Sequence, residues 1–241
     1  SGITSKGVHE YDESQYIEVL KKKIGMKHKY ITPNPNNLFD TLGEMLSCHD
    51  EPVCTVTWYN LYLICKQISE DNIHVLLNGH GGDELLAGYW DHYHYNLFDL
   101  KTAHKDAYLS EKNAWLENHQ RNPGEIDYYS DFISNNHFGE GNEASRHGLY
   151  ISYLNENYRE LFKRDFRLTQ PSNSLLKSRL HSEMINETIP SSLRAEDRNT
   201  MAFSIESRSP FIDYRLAEFC FSLPNKFKIR GKNVYTPVTV L

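Results

Sequence analysis

The sequence is short of several things, and each shortage closes a class of function. It has no excess of basic charge: 26 Lys and Arg stand against 32 Asp and Glu, for a formal net charge of −6. A chain that grips nucleic acid through its phosphates carries the opposite balance, so no nucleic-acid partner is expected. It has no apolar run near the ~20 residues that span a bilayer, so no membrane partner is expected either. Its four cysteines, Cys48, Cys54, Cys65 and Cys220, include no C-x-x-C pair. That argues against a zinc knuckle or a thiol redox motif. Scattered thiols in an acidic chain fit a reducing, cytoplasmic setting. No signal-peptide pattern follows Ser1-Gly2, so nothing addresses the chain outward. No repeat period or low-complexity tract is present.

What remains is the balance of a globular domain. The 241 residues carry 39% hydrophobic and 12% aromatic side chains, too many for a disordered chain. That length supplies a core without disulfides or metals, in one domain or one domain plus part of another. The twelve histidines are scattered, with His92 and His94 the closest pair, beside Asp91. Residues two apart on a helix point to different faces, so a metal clamp there needs a strand, and the plain reading is polar surface.

Hydrophobic period divides the chain. Tyr16, Ile17, Val19, Leu20 and Ile24 make one helical face, in a run opened by Tyr11-Asp12-Glu13-Ser14 and ended by Gly25,. Lys29-Tyr30-Ile31 reads as a short strand closed by Pro33 and Pro35,. Helices are expected over Leu38–Cys48 and Val56–Ile68, and Ile73–Leu77 as a buried parallel strand,. This alternation argues for an α/β layer over residues 1–90. From 91 to about 220 β-branched runs disappear and the pattern is helical. Leu175, Leu176, Leu180, Met184 and Ile185 form one face there. Ser209-Pro210 reads as a helix start, with Leu216, Phe219, Cys220 and Leu223 inward and Pro224 as the stop,.

The most informative stretch is Asn78-Gly79-His80-Gly81-Gly82-Asp83-Glu84, directly after the apolar strand and before a helical pattern. Three glycines in four residues let backbone approach a ligand closely. Ligands of open α/β sheets bind beyond the carboxyl ends of the strands. Position alone makes this a candidate nucleotide site. Two carboxylates beside a phosphate need a cation between, and Mg²⁺ takes one or two carboxylates with phosphate oxygens. The plainer reading of Asp83 is a helix N-cap.

Val75–Tyr89, V-L-L-N-G-H-G-G-D-E-L-L-A-G-Y, resembles the S-G-E-G-A/S-D-E-L/V-F-G-G-Y signature of glutamine-dependent asparagine synthetases. Asp197–Asp213 is similar to that family's D-R-x-x-M-A-x-S-x-E-x-R-x-P-F-x-D block. Tyr11-Asp12-Glu13-Ser14 and Asp50-Glu51-Pro52 sit where the family has Y-D-E-S and D-E-P, in the same order. The resemblance covers nearly the whole chain and is weakest across about 91–170. It implies the synthetase domain of that family. The fold is then α/β with a parallel sheet of the adenine-nucleotide alpha-hydrolase-like (HUP, ATP-pyrophosphatase) type, incomplete at its N-terminus and with a large helical portion. Residues 1–241 would be one partial domain, 1–90 the nucleotide-binding part and 91–241 mainly helical.

The resemblance also implies chemistry. The family adenylates the side-chain carboxylate of aspartate with Mg-ATP, then amidates it with ammonia from a glutaminase domain. Asn78 and Gly79 match residues that contact ATP, with Gly81 and Gly82 beside them, and Asp83 matches a magnesium ligand. His80 stands where the family has a Glu associated with the aspartyl-adenylate. An imidazole also accepts a proton near neutral pH but brings no fixed negative charge, so the acceptor carboxylate can differ. A hydrogen-bonded turn residue is the plain alternative. Arg198, Glu206, Arg208, Asp213 and Arg215 could form an ion-pair network locking two helices. Of these Arg198, with the forked donors that suit carboxylate or phosphate, is expected nearest the chemistry.

Two motifs of the resemblance are missing from these 241 residues: the S-G-G-x-D-S phosphate loop and the glutaminase domain with its N-terminal cysteine. The family's late lysine is expected near Lys232, which stands out of register in Gly231-Lys232-Asn233-Val234-Tyr235. The expectation is a piece of a synthetase domain that does not turn over alone, with a homodimer allowed. Three alternatives stand beside it: an amidotransferase for another carboxylate, a non-catalytic scaffold without the phosphate loop, and a diguanylate cyclase echo in Gly81-Gly82-Asp83-Glu84-Leu85. The last requires a strand after the turn.

Overall fold

A computed structural model describes residues 2–3, 14–53, 55–119, 122–135, 155–159 and 171–231. They divide into two compact units. The first comprises Ser1–Gly79 with Ser191–Pro210, and the second His80–Pro190 with Phe211–Leu241. The expected helix start at Tyr11, and Lys232, lie outside the described residues.

In the first unit, Gly25 takes φ +66° and ends α1 (Ser14–Ile24). Glycine, having no Cβ, enters that backbone region at the least cost. Of the apolar face expected on α1, Ile17 is half-buried, while Val19, Leu20 and Ile24 are exposed. β1 (Gly2–Ile3) and β2 (Tyr30–Ile31) pair in parallel. Helix α2 (Leu38–His49) ends where Asp50 turns left-handed, one residue beyond the expected end. Helix α3 (Val56–Glu70) starts on Thr55, whose side chain accepts from the Thr57 N–H. Met45 of α2 packs with Tyr59 and Tyr62 of α3, and Cys65 and Ile68 pack with Ile205.

β3 (Val75–Leu77) is parallel, as expected, and pairs with β4 (Glu206–Arg208) in the register Leu76↔Ser207. Two expectations are corrected here. β3 is not buried on both faces: Val75 and Leu77 are exposed and only Leu76 turns inward. A two-stranded pair packed on one side has one wet face, whatever its apolar content. β4, in turn, lies in a stretch read as wholly helical. Its residues Glu, Ser and Arg show no strand signal of their own, and the pairing with β3 makes them one. Before it runs α10 (Thr188–Met201), whose residues from Ser191 onward belong to this unit. His49 and Asn199 tie α2 to α10 through a buried hydrogen bond of 2.8 Å.

The second unit is helical: α4 (Gly82–Leu86), α5 (Trp90–Ala103), α6 (Lys105–His119), α7 (Pro123–Asn135), a turn α8 (Glu156–Arg159), α9 (Leu175–Ile185) and α11 (Tyr214–Ser222). Its core gathers Ala87, Tyr93, Leu97, Trp115, Ile126, Leu176, Leu180 and Ile229. Burying the leucine and isoleucine side chains among them contributes roughly 1.5–3 kcal/mol each. α9 is fixed by Asp99 of α5, whose carboxylate accepts from the N–H groups of Leu175 and Leu176 and from the Ser174 hydroxyl. Leu175, Leu176, Leu180 and Met184 are buried as expected, while Ile185 at the helix end is exposed.

Three further corrections concern single residues. α11 is capped by Asp213, which accepts from the Arg215 N–H, and not by Ser209. Pro210 instead opens a short 3₁₀ turn, Pro210–Ile212. Cys220 is buried, but Phe219, adjacent on the helix and so about 100° away, faces out,. His92 and His94 are buried, not surface residues. α5 is enclosed by its neighbours, and both rings pack among aromatics, with His94 stacked on Tyr129 at 4.3 Å.

Candidate functional site

The glycine-rich turn leaves β3 and enters α4 without a second strand, so the cyclase hairpin is not formed. Asn78 closes the first unit with its neighbour Gly79, and His80 opens the second. Asn78 is held twice by β4. Its backbone N–H donates to the Arg208 carbonyl at 2.9 Å. Its side-chain Nδ2 donates to Ser207 Oγ at 2.8 Å. Ser207 Oγ lies 3.1 Å from Oε1 of Glu196, a buried carboxylate on α10.

The three glycines differ. Gly81 has φ +93°, and a Cβ there would sit 3.1 Å from Ile212 Cγ1. The fold itself therefore demands glycine at 81. Gly79 and Gly82 have ordinary φ, and a Cβ on either would meet nothing within 4 Å. The fold leaves both positions indifferent, with open space where a side chain would stand.

Asp83 is not the N-cap of α4. That place belongs to Gly81, and no side chain caps the helix. Asp83 lies in the first turn, half-buried. Its carboxylate accepts no hydrogen bond and joins no ion pair among the described residues. Burial, then the Glu84 carboxylate, pushes its pKa up. A half-buried carboxylate with no partner and further negative charge beside it is an environment that suits a cation. Gly88 makes the room: a Cβ there would overlap Asp83 Oδ1. Glu84 faces inward and accepts from the Tyr89 hydroxyl at 2.8 Å. Lys228 Nζ donates to the Leu85 carbonyl at the end of α4.

Beside this turn, Asp91, His92 and Glu183 bring ligand-type atoms within 4.8 Å of one another. Their hydrogen bonds argue against a metal. His92 Nδ1 accepts from the Tyr89 N–H at 3.3 Å, so the proton sits on Nε2, which donates to Glu183 at 2.7 Å,. Arg179 lies 2.8 Å from Glu183 and 3.8 Å from Asp91, supplying the positive charge an ion would bring. Glu183 and Arg179 carry no sequence signal, being 91 and 87 positions from His92 and ordinary members of an amphipathic pattern.

A model of the asparagine synthase family matches residues 3–235. The chain belongs to the asparagine synthase family. Among curated proteins, asparagine synthetase (glutamine-hydrolyzing) 3 of Bacillus subtilis (strain 168) is 24% identical over 222 residues, which cover 90% of this chain and 31% of that protein. The chain thus spans about a third of the length of the relative it matches. No solved structure matches.

The expected site residues of an asparagine synthase domain fall into three groups. Asn78 and Gly79 stand at the end of β3, and His80, Gly81, Gly82 and Asp83 follow in the turn and α4. Arg198 sits on α10 in the first unit, 3.8 Å from Asp50. One turn earlier, Arg194 forks onto Glu51 at 2.9 and 3.1 Å. So the Asp50-Glu51 stretch is engaged by two arginines of one helix face. Lys232 is outside the described residues.

The ion-pair network expected among Arg198, Glu206, Arg208, Asp213 and Arg215 is not formed. Arg208 pairs with Glu206 two residues away, and Arg215 with Asp213 likewise. Both pairs are local and solvent-facing, so they fasten no two helices together. Arg215 holds the Asp213 pKa down at about 2.

Proposed function

We propose that this chain is the ATP-handling part of an amide-forming synthetase of the HUP, ATP-pyrophosphatase type. It adenylates the side-chain carboxylate of aspartate or a similar acid, and ammonia from a glutaminase domain then displaces AMP. The reading rests on family membership and on one observation: the turn after β3 sets Gly79 and Gly82, with open space where a side chain would stand, next to a half-buried, unpartnered Asp83. Asn78, Gly79, Gly81 and Gly82 would meet the nucleotide and Asp83 would hold Mg²⁺. The ion, when bound, neutralises phosphate charge and so eases attack by a carboxylate. Each step is balanced by the substrates themselves. The carboxylate oxygen attacks the α-phosphorus and pyrophosphate leaves; the ammonia nitrogen attacks the acyl carbon and AMP leaves.

His80 is the reason to keep a second acceptor in view. In this role the imidazole takes the proton that ammonia loses on attack, as a general base. It does not add the negative charge of the family's glutamate. An acceptor other than aspartate is the reading that this exchange favours. Arg198 would contribute a guanidinium for a carboxylate or phosphate, and Lys232 an ammonium.

Mg-dependent ATP binding, followed by calorimetry, tests the proposal. The chain is expected to bind ATP more tightly with MgCl₂ than with EDTA, and Asp83→Asn is expected to remove that difference. Binding indifferent to magnesium, or unchanged in Asp83→Asn, would return the turn to a scaffold role.

A further inference from the structure

We infer that Glu196 and Ser207 are positioning residues that fix which end of the Asn78 amide faces the nucleotide. The inference rests on the ATP reading above and goes beyond it, since it names the device that sets Asn78. It starts from hydrogen-bond direction. The Ser207 hydroxyl gives its hydrogen to Glu196 Oε1, 3.1 Å away. The hydroxyl oxygen is then left as an acceptor, and only the NH₂ end of the Asn78 amide can satisfy it, at 2.8 Å,. The carbonyl end is turned the other way. The buried carboxylate thereby sets the polarity of a side chain more than a hundred residues away in sequence.

Strand geometry makes the relay rigid. Ser207 is opposite Leu76 in the parallel ladder, and Asn78, two residues on, falls on the same face,. The Asn78 backbone is held in the same ladder by Arg208. Glu196 is 3% exposed, and its own backbone carbonyl accepts from the Thr200 hydroxyl. A low-dielectric setting strengthens each member of such a chain. All members belong to the first unit.

The test has two arms on the full 241-residue chain. In the first, side-chain amide protons of Asn78 are followed by NMR without ligand. They are expected to be protected from exchange, and to lose that protection in Ser207→Ala. In the second, Mg-ATP affinity is measured by calorimetry. Ser207→Ala is expected to weaken ATP about five- to tenfold, the worth of one preorganised hydrogen bond, measured well below the melting temperature of each variant. Ser207→Thr, which keeps the hydroxyl, is expected to restore it. Glu196→Gln, which no longer obliges the hydroxyl to donate, weakens ATP less than Ser207→Ala does. Equal ATP affinity in wild type and Ser207→Ala would overturn the inference while leaving the ATP reading standing. Protected amide protons with no Mg-ATP binding by the wild type would overturn the ATP reading, and the inference with it.

Discussion

Lys228 gives the sharpest measure of how the turn is held. Its side chain is fully buried, with Nζ donating to the Leu85 carbonyl at 2.6 Å and lying 5.4 Å from the centre of the Phe221 ring. That carbonyl is in the last turn of α4, where helices leave acceptors unpaired. A cation is favoured there by the partial negative charge of a helix C-terminus. Burial nevertheless pushes the Lys228 pKa down from 10.5 to about 8. At about 1.36 kcal/mol per pH unit, that gap is worth roughly 3 kcal/mol. The folded pKa lies below the unfolded one. Between about pH 8 and 10.5 the unfolded chain therefore binds more protons, and stability from this group rises with pH. Below pH 8 both states are charged and the whole penalty remains. Cys65, held up to about 12 by burial, works the other way in part of the same window, because only its unfolded thiol ionises. Comparing wild type with Lys228→Met cancels such groups. Urea unfolding at intervals from pH 7 to 10.5 should show wild-type stability rising against that of the Lys228→Met variant by about 3 kcal/mol, most of it above pH 8. A difference flat within about 0.5 kcal/mol would refute the argument that a charged amine is buried at this helix end.

Two further expectations concern the frame around the site. Gly82→Ala removes flexibility where a Cβ meets nothing, so thermal unfolding should show a gain of about 0.5–1 kcal/mol,, while Mg-dependent ATP affinity falls. Gly81→Ala should instead cost about 2 kcal/mol, from its φ of +93° and the approach to Ile212,; equal stabilities of the two variants would contradict the assignment of these glycines. Asp99→Ala should destabilise by about 2–3 kcal/mol in urea titrations, since it strips charged hydrogen bonds from the N-terminus of α9, and Asp99→Asn should recover part of that,. A loss under about 0.5 kcal/mol for Asp99→Ala would mean that solvent replaces the carboxylate at no cost.

What could be read from sequence was what local chemistry decides. α2 and α3 lie within two residues of their apolar periods because Asp50, Thr55 and the turn at Asp71 set their ends from within. The glycine turn was legible for the same reason: an apolar strand, then residues free of side chains, then a helix. What could not be read depends on partners far along the chain. Asp99 looks like one more charge on α5 until it meets the start of α9, 76 positions later. His92 and His94 look like surface residues because nothing local encloses them. The family resemblance names blocks of sequence, and a motif match carries no information about which of its residues faces which way.

The Glu206-Ser207-Arg208 triplet makes that last point physical. Read as part of a helical, charged block, its two ionic residues attract every functional guess. As a strand, it must alternate, and alternation sends Glu206 and Arg208 together to the exposed face, where they pair with each other at 2.8 Å,. The serine between them is the residue turned toward Leu76 and Asn78. The strand therefore spends its charged residues on solvent and its plainest one on the candidate site. A chain with only the period of a helix in that stretch would put Glu206 and Ser207 about 100° apart and bring neither to Asn78 in this way. Tertiary pairing with β3 thus gives Ser207 its role, and the same pairing strips the flanking charges of theirs.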